Sequence, residues 1–261
     1  MERRNNGRIL LIIYFLLAIY LLPLFTLNGG SAEDLTRWAT AVSLVENTSF
    51  EISWSKDLIG GQFSDITKTA AGKIYSNKSP GIAVLSAPFY AITRVILGKP
   101  TKENVRTSWF VFRFLISTLP LLLLGIWLYS NFVDTYSLAC LLFATPLFPY
   151  SLLYSSHILV GVLIYMAFRL IFDKQRIFPE NCFTAALVLG FAFFCEWTAI
   201  VPVIVFGIGL GFTERRERVR RVIFYIAGIF PFILVLAIYN QLIFGSPAAF
   251  LQTYDINFPT L

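Results

Sequence analysis

Ser31-Ala32-Glu33-Asp34-Leu35-Thr36-Arg37-Trp38 follows directly on the first apolar run of the chain. Two adjacent carboxylates, Glu33 and Asp34, therefore fall where a membrane helix would leave the bilayer. Further on, Tyr75-Ser76-Asn77-Lys78-Ser79-Pro80-Gly81 sets a lysine at a second re-entry into apolar sequence. A carboxylate can take the proton of an attacking hydroxyl or amine, and an ammonium group can neutralise a phosphate as it leaves. An acid at one membrane edge and a cation at another, in one loop, point to chemistry on a lipid-linked anion. Asp34 and Arg37 are three residues apart and share a helix face. Arg37 then either keeps the carboxylate ionised or binds a phosphate itself. Tyr75 offers a hydroxyl donor, while Pro80 and Gly81 fix a turn and allow close backbone approach. The same residues have plainer readings. Acids at a helix N-terminus suit the macrodipole, and Lys78 could be a solvated loop lysine.

The elements that would position these groups are apolar. The chain has 261 residues, 57% of them apolar and only 14% charged. Its mean hydropathy is +0.70. A soluble domain runs about 45–50% apolar and about 25% charged. Apolar runs near the roughly 20 residues of a membrane helix recur along the sequence. We read seven: Ile9 to Asn28, Thr107 to Tyr129, Thr135 to Leu153, Ile158 to Phe172, Cys182 to Cys195, Thr198 to Phe212 and Val222 to Phe244. Several are short, so tilted or broken helices are expected among them. The first apolar core exceeds the roughly 7–15 residues of a secretory signal, which favours a retained anchor.

The net charge of +6 does not argue for nucleic acid, because the cations lie beside apolar runs. There they set topology and meet anionic lipid headgroups. Arg3, Arg4 and Arg8 put the N-terminus in the cytoplasm. Counting seven crossings puts Lys174, Arg176 and the run from Arg215 to Arg221 on the same side, as the positive-inside rule expects. That parity needs a helix break at Cys195-Glu196-Trp197, since one unbroken helix would bury a lone Glu196 at high cost. The large loop, His157, Glu196 and the tail then face outward. The expected fold is an all-α polytopic membrane protein, one integral membrane domain over 1–261. Residues 29–106 form an extracytoplasmic loop, 107–244 a transmembrane bundle and 245–261 an extracytoplasmic tail.

Within the loop, Leu35, Trp38, Val42 and Val45 recur at helical spacing. They predict an amphipathic helix of about fourteen residues lying along the bilayer surface. Phe50, Ile52 and Trp54 alternate with Glu51 and Ser53, the pattern of a short strand. Ile82, Leu85, Phe89, Ile92 and Ile96 predict a second surface helix starting near Pro80. His157, at an outer helix start, and Glu196 are candidate contacts to substrate or to a divalent metal. One histidine without a partner is a weak metal motif. Glu196 also suits a partner role for Arg113 or Arg169, each within an apolar segment. Cys140, Cys182 and Cys195 lie in apolar sequence with no ligand spacing and read as packing residues.

The run Asp34-Leu35-Thr36-Arg37-Trp38-Ala39 resembles the first-loop signature of bacterial members of the dolichyl-phosphate-mannose protein mannosyltransferase superfamily. The aminoarabinose transferases that modify lipid A belong to the same group. Tyr75-Ser76-Asn77-Lys78-Ser79-Pro80-Gly81-Ile82 resembles their Tyr-x-x-Lys-Pro-Pro loop, with Ser79 in place of a proline. Tyr239-Asn240-Gln241-Leu242-Ile243-Phe244-Gly245-Ser246-Pro247 resembles a segment of related bacterial membrane glycosyltransferases. The resemblance implies a GT-C-type fold, with juxtamembrane helices in a large first extracytoplasmic loop and a polyprenyl-phosphate sugar as donor. It implies Asp34 as the catalytic acid, with Glu33 as the alternative, Lys78 as the phosphate-binding lysine and Tyr75 beside it. It also implies a bacterial cytoplasmic membrane and an acceptor glycan, lipid or protein. Full family members are usually much longer than this chain. A transporter or lipid flippase, with Arg113, Arg169 and Glu196 lining a path, is the alternative from another class. A truncated, non-catalytic relative is a third.

Overall fold

A computed structural model describes residues 2–27, 32–59, 65–69, 71–172, 178–213 and 215–249. Within these, the side chains at 2–5, 23–27, 32, 33, 59, 106, 215 and 216 are outside the description. The Glu33 side chain, Lys174, Arg176 and the tail from 250 onward therefore lie outside the described residues.

The fold is all-α. The helices are α1 (Glu2–Leu27), α2 (Ala32–Glu46), α3 (Lys56–Ile59), α4 (Gly81–Leu97), α5 (Val105–Arg113), α6 (Leu119–Asn131) and α7 (Thr135–Phe143), followed by α8 (Leu147–Ser151), α9 (His157–Phe172), α10 (Pro179–Cys195), α11 (Ile200–Gly211) and α12 (Arg215–Phe244). Among the described residues the only strands are β1 (Ile66–Lys68) and β2 (Ile74–Ser76). Each of the seven apolar runs is helical over most of its length. Among the described residues two helices are long and apolar enough to cross a membrane, Thr107–Asn131 and Glu217–Phe244. The other apolar helical stretches with described side chains run 10–17 residues, Asn6–Leu22 of α1 among them.

The chain divides into two compact units. The first comprises residues 1–66, 74–76 and 83–159. Here α1 buries Tyr14, Ala18 and Leu22 and leaves Ile9, Ile12, Ile13 and Leu16 exposed. The Tyr14 ring meets Phe143 and Phe148 edge-on, at 6.4 and 5.9 Å between centroids. Its hydroxyl donates to the Thr118 carbonyl at 3.3 Å. Between α5 and α6 the helix widens into a π turn, Phe114–Thr118. Pro120 stands two residues beyond its end. It has no N–H for the carbonyl four residues back and crowds it, which favours the wider i→i+5 bonding of a π turn. Asp134 caps α7 by accepting from the Ser137 backbone N–H at 2.7 Å. That apolar run, expected from Thr135 to Leu153, is interrupted before Pro146 and divides into α7 and α8.

Two expectations for the loop fail. The helix after Asp34 has the anticipated length but is no surface helix, because every residue from 34 to 43 is buried. Its polar side is covered as well as its apolar side. Thr36 and Ser76 share a hydroxyl–hydroxyl bond of 3.1 Å. Trp38 Nε1 donates to Ser108 Oγ at 2.8 Å, and Ser43 Oγ donates to the Glu51 carbonyl at 2.5 Å. Nor is Phe50–Trp54 a strand. Glu51 turns its carboxylate onto the Ser53 backbone N–H at 2.9 Å and onto the Ser53 hydroxyl. The segment closes as a 3-10 turn at Ser53–Ser55, and the Ile52 N–H reaches across to the Ile74 carbonyl at 2.9 Å.

The second unit comprises residues 67–73, 77–82 and 160–261. Its core is the pairing of α10 with α12 at glycine contacts. The Phe232 ring lies over Gly190, and a Cβ at Gly228 would stand 2.6 Å from the Phe183 carbonyl. Tyr225 ties α12 to α11 by donating to the Val203 carbonyl at 2.6 Å. Gly81 packs against the last carbonyls of α10, too close for any Cβ. The expected break is present: α10 ends at Cys195, Glu196 is extended, and a 3-10 turn at Trp197–Ala199 opens α11. After α12 the chain turns at Gly245, whose φ of +74° suits glycine. Asn240 Nδ2 donates to the Pro247 and Ala249 carbonyls at 3.3 and 3.1 Å. The Tyr239–Pro247 motif thus includes a helix terminator.

Candidate functional site

Asp34 sits in the first turn of α2 and is 3% exposed. A lone carboxylate so placed is costly, and it is held by a cation from far along the chain. Arg113, the last residue of α5 and 1% exposed, donates from Nη2 to Asp34 Oδ2 at 2.9 Å. The same oxygen accepts the Tyr154 backbone N–H at 3.4 Å. Arg37 lies one helical turn beyond Asp34, is itself buried, and donates from Nη2 to Ser156 Oγ at 3.1 Å. The described cluster thus joins one carboxylate with two guanidinium groups.

The π turn and the segment before α9 frame this cluster. Ser117 Oγ donates to the Ser155 carbonyl at 3.3 Å and Thr118 Oγ1 to the Ser151 carbonyl at 2.7 Å. The Tyr154 hydroxyl donates to Ser86 Oγ at 2.7 Å, and its ring packs on Phe112 at 5.3 Å. Several donors remain unused. Arg113 Nε and Nη1 and Ser155 Oγ are buried with no hydrogen-bond partner. Single-turn π segments inside α-helices recur at functional sites, and here one adjoins the ion pair directly.

Of the residues singled out in the sequence, Asp34 and Arg37 stand together on α2, and Asp34 makes an ion pair with Arg113. The sequence offered Glu196 as a partner for Arg113 or Arg169. Tyr75 lies on β2, and the Ser76–Thr36 bond ties that strand to α2. Burial, and then the nearby Glu51 charge, push the Tyr75 hydroxyl above its ordinary range, which keeps it a proton donor. Lys78 is half-buried in the turn before α4 and belongs to the second unit. Glu196, also of the second unit, is half-buried at the end of α10. His157 stands outside the cluster: it is exposed, with its ring edge-on to Tyr150 at 5.1 Å. Among the described residues no group of three or more His, Cys, Asp or Glu side chains could hold a metal ion.

No family model, curated protein or solved structure matches this chain. Helical spacing around Asp34 reveals Arg37 but could not reveal Arg113, Tyr154 or Ser156. The available signal was the cost of an arginine inside an apolar helix, which demands a partner. The run Tyr154-Ser155-Ser156 carried a second signal, since three polar residues between apolar helices must bond something.

Beyond this cluster, Glu46 ends α2 as a second charged centre. It receives the Tyr90 hydroxyl at 2.8 Å and the Arg94 guanidinium, with Lys99 Nζ at 3.9 Å. Burial alone would raise its carboxyl, but bonds from Arg94 and Tyr90 outweigh that and hold it below the ordinary 4.5.

Proposed function

We propose that this chain is a membrane glycosyltransferase that moves a sugar from a polyprenyl-phosphate donor to an extracytoplasmic acceptor. The observation that carries the reading is the burial of Asp34. The acid of the Asp-x-x-Arg run is enclosed with Arg37 and Arg113 instead of capping a solvated helix. The two membrane-length helices, and the apolar faces that α11 and α12 leave uncovered, support residence in a bilayer. A seven-span GT-C arrangement in a bacterial cytoplasmic membrane, with the amino terminus inside, belongs to the same proposal.

In this mechanism Asp34 takes the proton of the acceptor hydroxyl. The acceptor oxygen forms a bond to the anomeric carbon on the face opposite the phosphate. The bond from that carbon to the phosphate oxygen breaks, and its electron pair leaves with polyprenyl phosphate. Lys78 neutralises the charge that develops there, and Tyr75 donates a hydrogen bond. The lipid phosphate is the activated leaving group, so no nucleotide is consumed. A divalent metal is not required by these steps.

The test is transfer from a panel of radiolabelled polyprenyl-phosphate sugars by the purified chain and by the protein from its full natural reading frame. Asp34→Asn is expected to abolish label loss from lipid while donor still binds. Lys78→Met is expected to lower turnover by about 10²–10³-fold, as for loss of one charge-stabilising donor. Near-normal turnover in both variants would remove the proposal. The same burial favours a second reading, in which Asp34 is only the counter-ion that lets Arg113 be enclosed and the chain is a non-catalytic relative.

A further inference from the structure

A groove of about 580 Å³ opens between α1 and α6 within the first unit. Its lining residues are Arg8, Leu11, Ile12, Ile126, Tyr129 and Ser130. The volume is in the range of about 300–1,000 Å³ that accepts small organic ligands. The lining has a direction. Arg8 stands one turn before Leu11 and Ile12 on the same face of α1, and Tyr129 and Ser130 stand one turn after Ile126 on the same face of α6. The groove is thus polar at one end and apolar about one 5.4 Å turn deeper. Among the described residues no acidic side chain lines it.

The polar end coincides with the end of a membrane-length helix, Thr107–Asn131. Trp127 and Tyr129 lie there, the residues that favour the headgroup level of a bilayer. The two walls meet closely at that end, because the Tyr129 ring lies on Gly7, where no side chain larger than hydrogen fits. A cation above an apolar slot, at interface depth, is complementary to one class of molecule. Basic pockets between membrane helices bind anionic lipid headgroups in this way.

We infer that this groove holds an anionic phospholipid, its phosphate on Arg8 and the start of one acyl chain against Leu11, Ile12 and Ile126. The lipid belongs to the leaflet at the amino-terminal end of α1. The inference rests on the membrane part of the proposed function but not on sugar transfer. Retention of the chain in alkali-washed membranes tests the former separately.

The experiment is native mass spectrometry of the detergent-purified chain after mixing with equal amounts of phosphatidylglycerol and phosphatidylcholine. The wild type is expected to retain one phosphatidylglycerol in preference. Arg8→Gln is expected to weaken that retention about fivefold, the value of one cation near a lipid phosphate, whereas Arg8→Lys keeps it. Gly7→Leu, which pushes the Tyr129 ring aside, is expected to lower it as well. If that variant does not fold, the Arg8 pair decides, since Arg8 is exposed and its replacement leaves the core intact. Equal retention of the two lipids, or wild-type retention by Arg8→Gln with an unchanged melting curve, overturns the inference.

Discussion

Replacing Asp34 by leucine and Arg113 by methionine, singly and together, separates the enclosed ion pair as a packing device from Asp34 as a base. Each single change removes one partner of an enclosed ion pair, at a cost of about 3–5 kcal/mol. At about 2–4 °C per kcal/mol for a chain near this size, either variant melts roughly 6–20 °C below the wild type. The double variant is different. Arg113 engages only Nη2 with Asp34, while Nε and Nη1 are enclosed without partners. Each such orphan costs about 1–3 kcal/mol of lost hydration, and removing the whole guanidinium removes that cost. Apolar replacement of both partners is therefore expected to cost clearly less than the two single changes summed, with the enclosed Arg37 setting the residual loss. Thermal melts of purified protein, followed by tryptophan fluorescence, give all four values. An additive loss in the double variant would refute the reasoning, since it would mean that the two residues contribute independently. Transfer by the folded double variant then decides Asp34's role: inactivity fits a base, and retained transfer leaves the pair with folding alone.

Two other outcomes follow from the packing. Glu46 has a carboxyl held below its ordinary range, so its stabilising contribution is complete above the unfolded value and fades as pH falls through the folded one. Melting temperatures are expected to drop for the wild type as pH falls below the ordinary carboxylate range and to drop less for Glu46→Gln, and identical slopes would assign that acid limb elsewhere. Gly228→Ala sets a Cβ 2.6 Å from the Phe183 carbonyl and is expected to cost about 1–3 kcal/mol by forcing α10 from α12. A melting temperature unchanged by that substitution would mean the helix pair has slack.

Local chemistry in the sequence was enough to locate several elements. Acids before an apolar periodicity marked α2, a proline before another marked α4, and the cost of burying Glu196 marked the break before α11. Each of these signals acts within a few residues. What failed depended on distant parts of the chain. The alternation Phe50–Trp54 fits a strand, yet Glu51 caps the Ser53 N–H and the segment closes as a turn. The polar residues of α2 suit a solvated face, yet Ser76, Ser108 and Glu51 arrive to cover them. Helical spacing sees only one turn, so it reached Arg37 and not Arg113. That partner of Asp34 is 79 positions away in sequence, visible only as an arginine out of place in an apolar helix.

The π turn at Phe114–Thr118 has a consequence for how its helix can change. A wider turn holds roughly one residue more than an α turn, and each residue rotates the helix by about 100°. The half that carries Arg113 and the half that carries Gly125 and Tyr129 are thus set out of phase with a regular α-helix. Deleting a single residue there would straighten the rod and swing one half about its axis. The mate of Asp34 and the ring seated on Gly7 could not then both keep their aim, so the bulge acts as the angular offset that lets one helix serve two neighbours.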